Sequence, residues 1–544
     1  MTSRKEATHE EMENALASWL LAERSPRLYY FDFIQVPVKE PECGSEMTHS
    51  EYYIKEPLDD YNVLSRIYGF QKVVADETNL AFIAHTAFGL GIIHTPTLPE
   101  LYAFKGRVLK RCGDPFGAAL CLDESRVLDL QDRFLNTKCA KYRLRAGFVD
   151  EASEILGLFT KKDAASPGAD LEDMQSLLYL SEEADSHLRK GNLGAALKKY
   201  LVVQKVFNEF EDDQFDFHGY SLRRFTINVY LDMISWEDRL RSHPAYIHTA
   251  INASKIWVQL YDDPSIAKSK SAGAVVSDAE KKAKNKAKKA AKKIQEEVKK
   301  ATTTTSGEDK GLEPQPAKDD DPNGDKLLQA SDPLERAAKL VAPLRTLAAN
   351  NVDAWIATYD VAVRHKKYLQ AVKALNSAHA LDAEHPELHL RLAHFRHTLS
   401  SASQLPPEPM GPVVKDALAK LLPDELSLEH FNAQYQQKHS SSGKAILASA
   451  KVSRLLSAPV EQIEGSVFGV FNLDVSLDIK TALDAFAFLK VVGSSRVEEF
   501  RTACDGRFAR STVFKSPAAQ AALRWNAAET DAVNGGVDKP EVAG

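Results

Sequence analysis

An all-α chain built of paired helices is what this sequence predicts, and three observations carry the prediction. From Pro99 onward the chain reads as helix, short turn, helix. A skeleton of a small residue, a Gly seven positions on and an Ala five after that occurs as Gly106, Gly113 and Ala118. It recurs 34 residues later as Ala140, Gly147 and Ala152, and again as Ala184, Gly191 and Ala196. A looser version lies at Trp355, Tyr359, Tyr368, Ala371, Ala378 and the closing Pro386.

Each skeleton position has a mechanical reason. The first small residue lets the first helix of a pair approach the second, the Gly supplies the turn conformation, and the Ala on the second helix seats against the first. A period of 34 is that of the tetratricopeptide repeat, whose helical hairpins stack into a solenoid. The predicted fold class is therefore an all-α, tetratricopeptide-type helical-repeat solenoid with an internal lysine-rich helix and a disordered linker.

Taken in order, residues 1–93 are an unplaced N-terminal segment in which Tyr29 to Val38 reads as extended. The stretch Leu80 to Ile93 is apolar for only 14 residues and includes His85 and Thr86. A membrane helix needs roughly 20 apolar residues, so a buried helix is expected there. Phe88-Gly89-Leu90-Gly91 resembles the start of a dinucleotide fingerprint but lacks the third Gly and a preceding strand, and is expected to be a bend. Residues 94–264 hold the first helical repeats. Within them Phe225, Val229, Tyr230, Met233, Trp236, Ile247, Ile251, Ile256, Trp257 and Leu260 fall at helical spacing and read as solenoid core. Residues 265–333 form the lysine-rich helix and a linker whose Thr-rich and Pro/Asp-rich ends are expected to be disordered. Residues 334–515 return to helical repeats, and 516–544 read as a fraying tail.

Composition bounds the function. With 544 residues, 44% of them hydrophobic, the chain buries a sizeable core and is not a disordered or collagen-like protein. Five widely separated cysteines without a Cys-x-x-Cys pair indicate reduced thiols, and the acidic start of the chain does not fit a signal or transit peptide, so a cytoplasmic protein is expected. Asn252-Ala253-Ser254 matches a glycosylation acceptor but falls inside a helix of such a chain and is set aside. The sequence has no nucleophile elbow, no phosphate-binding loop and no His-Glu-x-x-His, and its 16 histidines lack metal spacing. No catalytic residue and no metal site is expected.

The strongest local signal is cationic. Lys281, Lys282, Lys284, Lys286, Lys288, Lys289, Lys292, Lys293, Lys299 and Lys300 stand against only Glu296 and Glu297, in a chain whose net charge is -7. Ala283, Ala287, Ala290, Ile294 and Val298 thread a narrow apolar stripe through the run, as on a helix. Such a segment suits RNA phosphates without base specificity, because lysine is a point charge and no aromatic interleaves the run to stack on bases. A solvated charged helix or a localisation signal is the plainer alternative. A second basic grouping, His218, Arg223, Arg224, Arg239, Arg241 and His243, lies on helices, where ordinary surface charge is the default.

Several segments in fixed order then resemble one family. They are His94-Thr95-Pro96-Thr97-Leu98-Pro99-Glu100-Leu101, Asp132 to Tyr142, Asp212 to His218, Leu240-Arg241-Ser242-His243-Pro244-Ala245-Tyr246, the lysine run, and Phe431-Asn432-Ala433-Gln434-Tyr435 followed by Ser440-Ser441-Ser442. Over residues 94 to about 460 the chain resembles the auxiliary subunit of the N-terminal acetyltransferase A complex. Residues 1 to about 93 do not match the further helical repeats that precede the first of these segments in the family.

The resemblance implies a non-catalytic scaffold that wraps a separate catalytic acetyltransferase subunit near the ribosomal tunnel exit. Acetyl-CoA is then used by that partner on nascent N-termini, and this chain binds no catalytic cofactor. It further implies ribosome contact through Lys281, Lys282, Lys284, Lys286, Lys288, Lys289, Lys292 and Lys293, made to rRNA phosphates. An inositol hexakisphosphate between the subunits implies His218, Arg223, Arg224, Arg241 and His243 as candidate contacts. No membrane and no sequence-specific DNA partner is expected. A free-standing repeat adaptor for unrelated peptides is the alternative from another functional class.

Overall fold

The computed structural model describes residues 91–160, 166–213, 227–267, 321–401 and 408–523, together with 85, 88, 89 and 219. Among these residues there are helices and one isolated bridge, between Ser442 and Ser476, and no strand. The chain divides into two compact units, one of residues up to 186 with those from 375 onward, the other of residues 187–374.

The first unit opens with α1 (Pro99–Arg111), α2 (Pro115–Leu128), α3 (Arg133–Ala146), α4 (Val149–Gly157) and α5 (Pro167–Asp173), each packed on the next. Their ends follow ordinary stop and start chemistry. Proline leads α1, α2 and α5, where a missing N–H costs nothing. Asp114 accepts from the Gly117 amide and Asp132 from those of Phe134 and Leu135, satisfying N–H groups the helices leave orphaned. α6 (Leu177–Arg189) follows and spans the division between the units.

The repeat skeleton is realised as its spacing predicts. Gly113, Gly147 and Gly191 all take left-handed backbone, with φ of 80°, 92° and 73°. Ala118, Ala140, Ala152, Ala184 and Ala196 are fully buried. At Gly106 an added Cβ would stand 2.2 Å from Leu122 Cδ2 and 3.1 Å from the Ala118 carbonyl oxygen. The closest approach of α1 to α2 is therefore made where the sequence places its smallest residue.

Between α2 and α3 lies a buried ionic group. The Asp123 carboxylate takes Arg126 at 3.0 Å and Arg143 at 3.2 Å, and the Cys139 thiol donates to it at 3.5 Å. Burial pushes Asp123 towards the neutral acid, but Arg143 and Arg126 outweigh it and hold the carboxyl below its ordinary value.

The remainder of this unit comprises the end of α14 (Tyr368–Leu381), α15 (Pro386–Ser401), α16 (Met410–Ala419), α17 (Leu428–Lys438), α18 (Gly443–Leu455), α19 (Val460–Phe468), α20 (Ile479–Val492) and α21 (Val497–Arg507). α18 is the hub, packing against α15, α17, α19 and α20. It is suited to this because Gly443, Ala445, Ala448, Ser449 and Ala450 keep its girth small while Ile446, Leu447 and Val452 fill the core.

The second unit is built on α7 (Leu193–Asp212), α8 (Ile227–Glu237), a 3₁₀ turn (Leu240–Ser242), α9 (Pro244–Asp262), α10 (Asp325–Leu328), α11 (Pro333–Val341), α12 (Leu344–Leu347), α13 (Val352–Arg364) and the start of α14. α9 is its axis. Buried Tyr246, Ala250, Ala253, Ile256, Trp257 and Leu260 meet α7, α11 and α13. The looser repeat also holds, since Trp355, Tyr359, Ala371 and Ala378 are buried and Pro386 starts α15.

Four expectations are corrected. Residues 88, 89 and 91–94 are helical rather than a bend, because nothing in Phe88-Gly89 demands a turn and Phe88 is buried against the Phe104 ring. The far end of the 265–333 linker is ordered. Gly324 packs backbone to backbone on Gly194, Lys198 donates to the Asp321 carbonyl at 2.8 Å, and Leu328 is buried against the unit. The tail is ordered as far as residue 523, with a short helix over 517–523 started by the Ser516 hydroxyl. Finally, α8 is not core, and that difference leads to the site.

Candidate partner-binding site

α8 carries Ile227, Val229, Tyr230, Leu231, Met233, Ile234 and Trp236 in eleven residues, so its apolar side chains reach every face. A helix of that composition is ordinarily enclosed. Here none of its residues is buried, and Ile227, Val229, Leu231 and Trp236 are 61%, 57%, 57% and 51% exposed. Trp236 lies edge-on to Phe210 of α7, itself partly exposed, with ring centroids 6.3 Å apart. An apolar surface of this density on a folded unit is the mark of an interaction site. Helical spacing alone placed Val229 and Trp236 in the core, because periodicity reports which residues seek burial and not whether this chain or another supplies it.

The turn that follows α8 is tied to α7 and α9. Arg241, in the 3₁₀ turn, grips the Glu211 carboxylate through Nε, at 2.5 Å, and Nη2, and also donates to Asn208 Oδ1 at 3.0 Å. Its Nη1 donates to the Tyr246 hydroxyl at 3.2 Å, and its guanidinium stands over the Tyr246 ring. The bond to Glu211 pushes the Arg241 pKa up, so its charge is permanent and is matched at short range. Tyr246 is fully buried and passes its own proton to the Leu340 carbonyl at 3.2 Å, tying α9 to α11. His243 caps α9, its Nδ1 accepting from the Ala245 amide at 3.2 Å, with Pro244 in the first helical position.

The Arg241 guanidinium is paired with a carboxylate, and His243 Nδ1 accepts from the backbone, which leaves Nε2 to carry the ring proton. His218, Arg223 and Arg224 lie outside the described residues, as do all the lysines from Lys281 to Lys300. Within the segment Leu240 to Tyr246, Arg241 and Tyr246 tie α7, α9 and α11 together.

Cys121, Cys139 and Cys504 are buried, which pushes each thiol up to about 12 and keeps it from acting as a nucleophile. No group of His, Cys, Asp and Glu among the described residues could hold a metal ion. No helix among them is long and apolar enough to cross a membrane.

Comparison with known proteins agrees with this reading of the fold. The family described as "N-terminal acetyltransferase A, auxiliary subunit" matches residues 70–378, beginning earlier than the segments on which the sequence resemblance rested. The Arabidopsis thaliana N-terminal acetyltransferase A complex auxiliary subunit NAA15 is 39% identical over 307 residues, covering 56% of this chain and 34% of the relative. The human N-alpha-acetyltransferase 16, NatA auxiliary subunit, is 31% identical over 451 residues, covering 76% of this chain and 49% of its own length. Among solved structures, that of Naa15/Naa10 bound to HypK-THB superposes with a TM-score of 0.51 at 27% identity, covering 76% of this chain and 56% of that one. The chain thus spans between about a third and somewhat over half of these relatives. With more than half of its residues inside the family match, the chain belongs to the family of N-terminal acetyltransferase A auxiliary subunits.

Proposed function

We infer that this chain is a non-catalytic scaffold that binds the catalytic subunit of N-terminal acetyltransferase A, leaving acetyl-CoA and acetyl transfer to that partner. Family membership supports this reading, as does a structural relative solved together with Naa10. The observation that carries it to particular residues is α8, an apolar helix none of whose residues is buried among the described residues. Such a helix offers a partner a hydrophobic surface.

Co-expression with the catalytic subunit, followed by size-exclusion chromatography and an acetyl-transfer assay on Ser- or Ala-starting peptides, tests the reading. A stable, active one-to-one complex is expected. A Val229→Ser/Trp236→Ser variant should weaken that complex at least about tenfold while its own unfolding stays within about 1 kcal/mol of wild type, because exposed side chains contribute little to folding. No complex with the unaltered chain would favour a free-standing adaptor, whereas an unweakened complex with the variant would remove α8 from the interface.

The lysine run is read as a contact with ribosomal RNA phosphates, which would place the protein in the cytoplasm at translating ribosomes. Replacing the lysines from Lys281 to Lys293 by Gln is expected to lower co-sedimentation with ribosomes by about tenfold or more at low salt. Raising the salt should erase the difference, since the attraction comes from counterion release. Unchanged sedimentation would remove the ribosome contact and leave the catalytic partner untouched.

A further inference from the structure

In the unit that contains both chain regions, the segment after α21 returns to the first helical hairpin. Thr512 donates its amide to the Gly113 carbonyl at 3.0 Å and the Ser511 hydroxyl donates to the same oxygen at 3.1 Å, across separations of 399 and 398 residues. The Thr512 hydroxyl faces the Asp114 carboxylate at 3.0 Å, and Asp114 is the residue that caps α2. Farther along, Leu523 packs against the small cluster of Phe116, Ala119 and Ala146, so the segment reaches α2 and the end of α3. Its other side is moored to α21. Phe514 is buried and stacked on Phe508, Arg501 donates to the Phe514 carbonyl at 2.7 Å, and Lys515 pairs with Asp505 at 2.8 Å.

We propose that residues 511–523 form a strap which, docked on the α1–α2 turn, closes this unit on itself and makes the order of α1–α4 depend on the C-terminal helices. The two moorings differ in kind. Towards α21 the strap holds by a buried aromatic and an ion pair, whereas towards α1–α2 it holds by hydroxyl and amide donors on one carbonyl and one carboxylate and by the packing of Leu523. Contacts of the second kind open locally without global unfolding. Opening is therefore expected at the turn, with the strap staying attached to α21. Gly113 is fitted to the strap as well as to its backbone conformation. An added Cβ there would lie 2.6 Å from Ser511 Oγ and 3.0 Å from Ile479 Cδ1, whereas at Gly191, with the same left-handed backbone, nothing lies within 4 Å.

Hydrogen–deuterium exchange on the full chain tests the strap without any partner. Thr512→Glu sets a second carboxylate against Asp114, Leu523→Ser empties the apolar contact, and Gly113→Ala pushes Ser511 away. Each is expected to speed exchange in residues 99–128 by about tenfold or more, with α18 retaining wild-type protection. Gly191→Ala, which carries the backbone penalty alone, should leave residues 99–128 at the wild-type rate. The proposal is overturned if Thr512→Glu and Leu523→Ser leave exchange over 99–128 unchanged, or if α18 accelerates equally, which would mean global loosening in place of local release.

Discussion

The stability of the wild-type chain is expected to fall as pH drops from 6.5 to about 4, and a His389→Phe variant should lose less over the same window, the remainder coming from His85, whose pKa burial also lowers to about 4. His389 of α15 is 3% exposed and lies flat between two rings of α17, 4.4 Å from Phe431 and 3.8 Å from Tyr435. Asn432 fixes its protonation. Both Asn432 amide protons are engaged, by the Ser449 carbonyl at 3.1 Å and Ser453 Oγ at 3.2 Å, so its Oδ1 faces the imidazole as an acceptor at 3.0 Å. His389 Nε2 must then carry the proton, and Nδ1 is left buried without a hydrogen-bond partner.

Burial is the main cause that lowers the His389 pKa to about 4, with the nearby His439 adding to it, against the opposing effects of the Asn432 bond and Glu384. The sign follows directly. Below 6.5 the unfolded chain takes up a proton the folded one refuses, so acid favours unfolding until the folded imidazole also titrates near 4. The full gap corresponds to about 3 kcal/mol. Glu387 of the same helix titrates in a different window. Burial would raise it, but Arg391 and Lys451 hold it at about 2, so its contribution is lost only below 4.5. Urea midpoints of wild type and variant at matched pH values would decide the matter, and parallel curves would remove His389 as an acid-sensitive group.

This group also shows what the sequence could and could not convey. Phe431, Asn432 and Tyr435 stood out as part of a family segment, and their work is to clamp His389. His389 itself was one scattered histidine among 16, because a partner 43 residues away leaves no local signature. The repeat glycines were legible for the opposite reason. A left-handed turn inside a hairpin admits few residues other than Gly, so conformation is written directly into residue type at Gly113, Gly147 and Gly191. The longer interval before Gly191 is where α5 is inserted. The apolar residues of α8 were equally visible, but whether a neighbour in this chain would cover them was not. Hydrogen bonds from Ser511 and Thr512 to Gly113 span almost the whole described chain, and neither hydroxyl differs from any other until the fold brings it there.

Replacing Asp123 by Ala is expected to cost about 3–5 kcal/mol, the loss that follows when one member of a buried ion pair is left behind. Arg143 and Asp123 each expose only 7% of their side chains, so the guanidinium cannot recover full hydration where it stands. Arg126, at 17%, can turn outward, which makes Arg143 the residue that bears the loss. The companion variant separates charge from packing. Asp123→Leu with Arg143→Met removes both partners at similar volume and is expected to restore most of the stability, because burying the pair was itself costly. Denaturant unfolding of the two variants gives the comparison, and a loss below about 1 kcal/mol in Asp123→Ala would mean that Arg143 is stabilised by something other than this carboxylate. The Cys139 thiol sharpens the point. Pushed up to about 12, it stays a donor to Asp123 and adds no charge of its own, so the group holds α2 against α3 through one carboxylate that three donors share. Repeat hairpins held mainly by interchangeable aliphatic contacts can slide against one another, whereas a single buried carboxylate that must meet Arg143 and Cys139 together permits one register of α2 on α3.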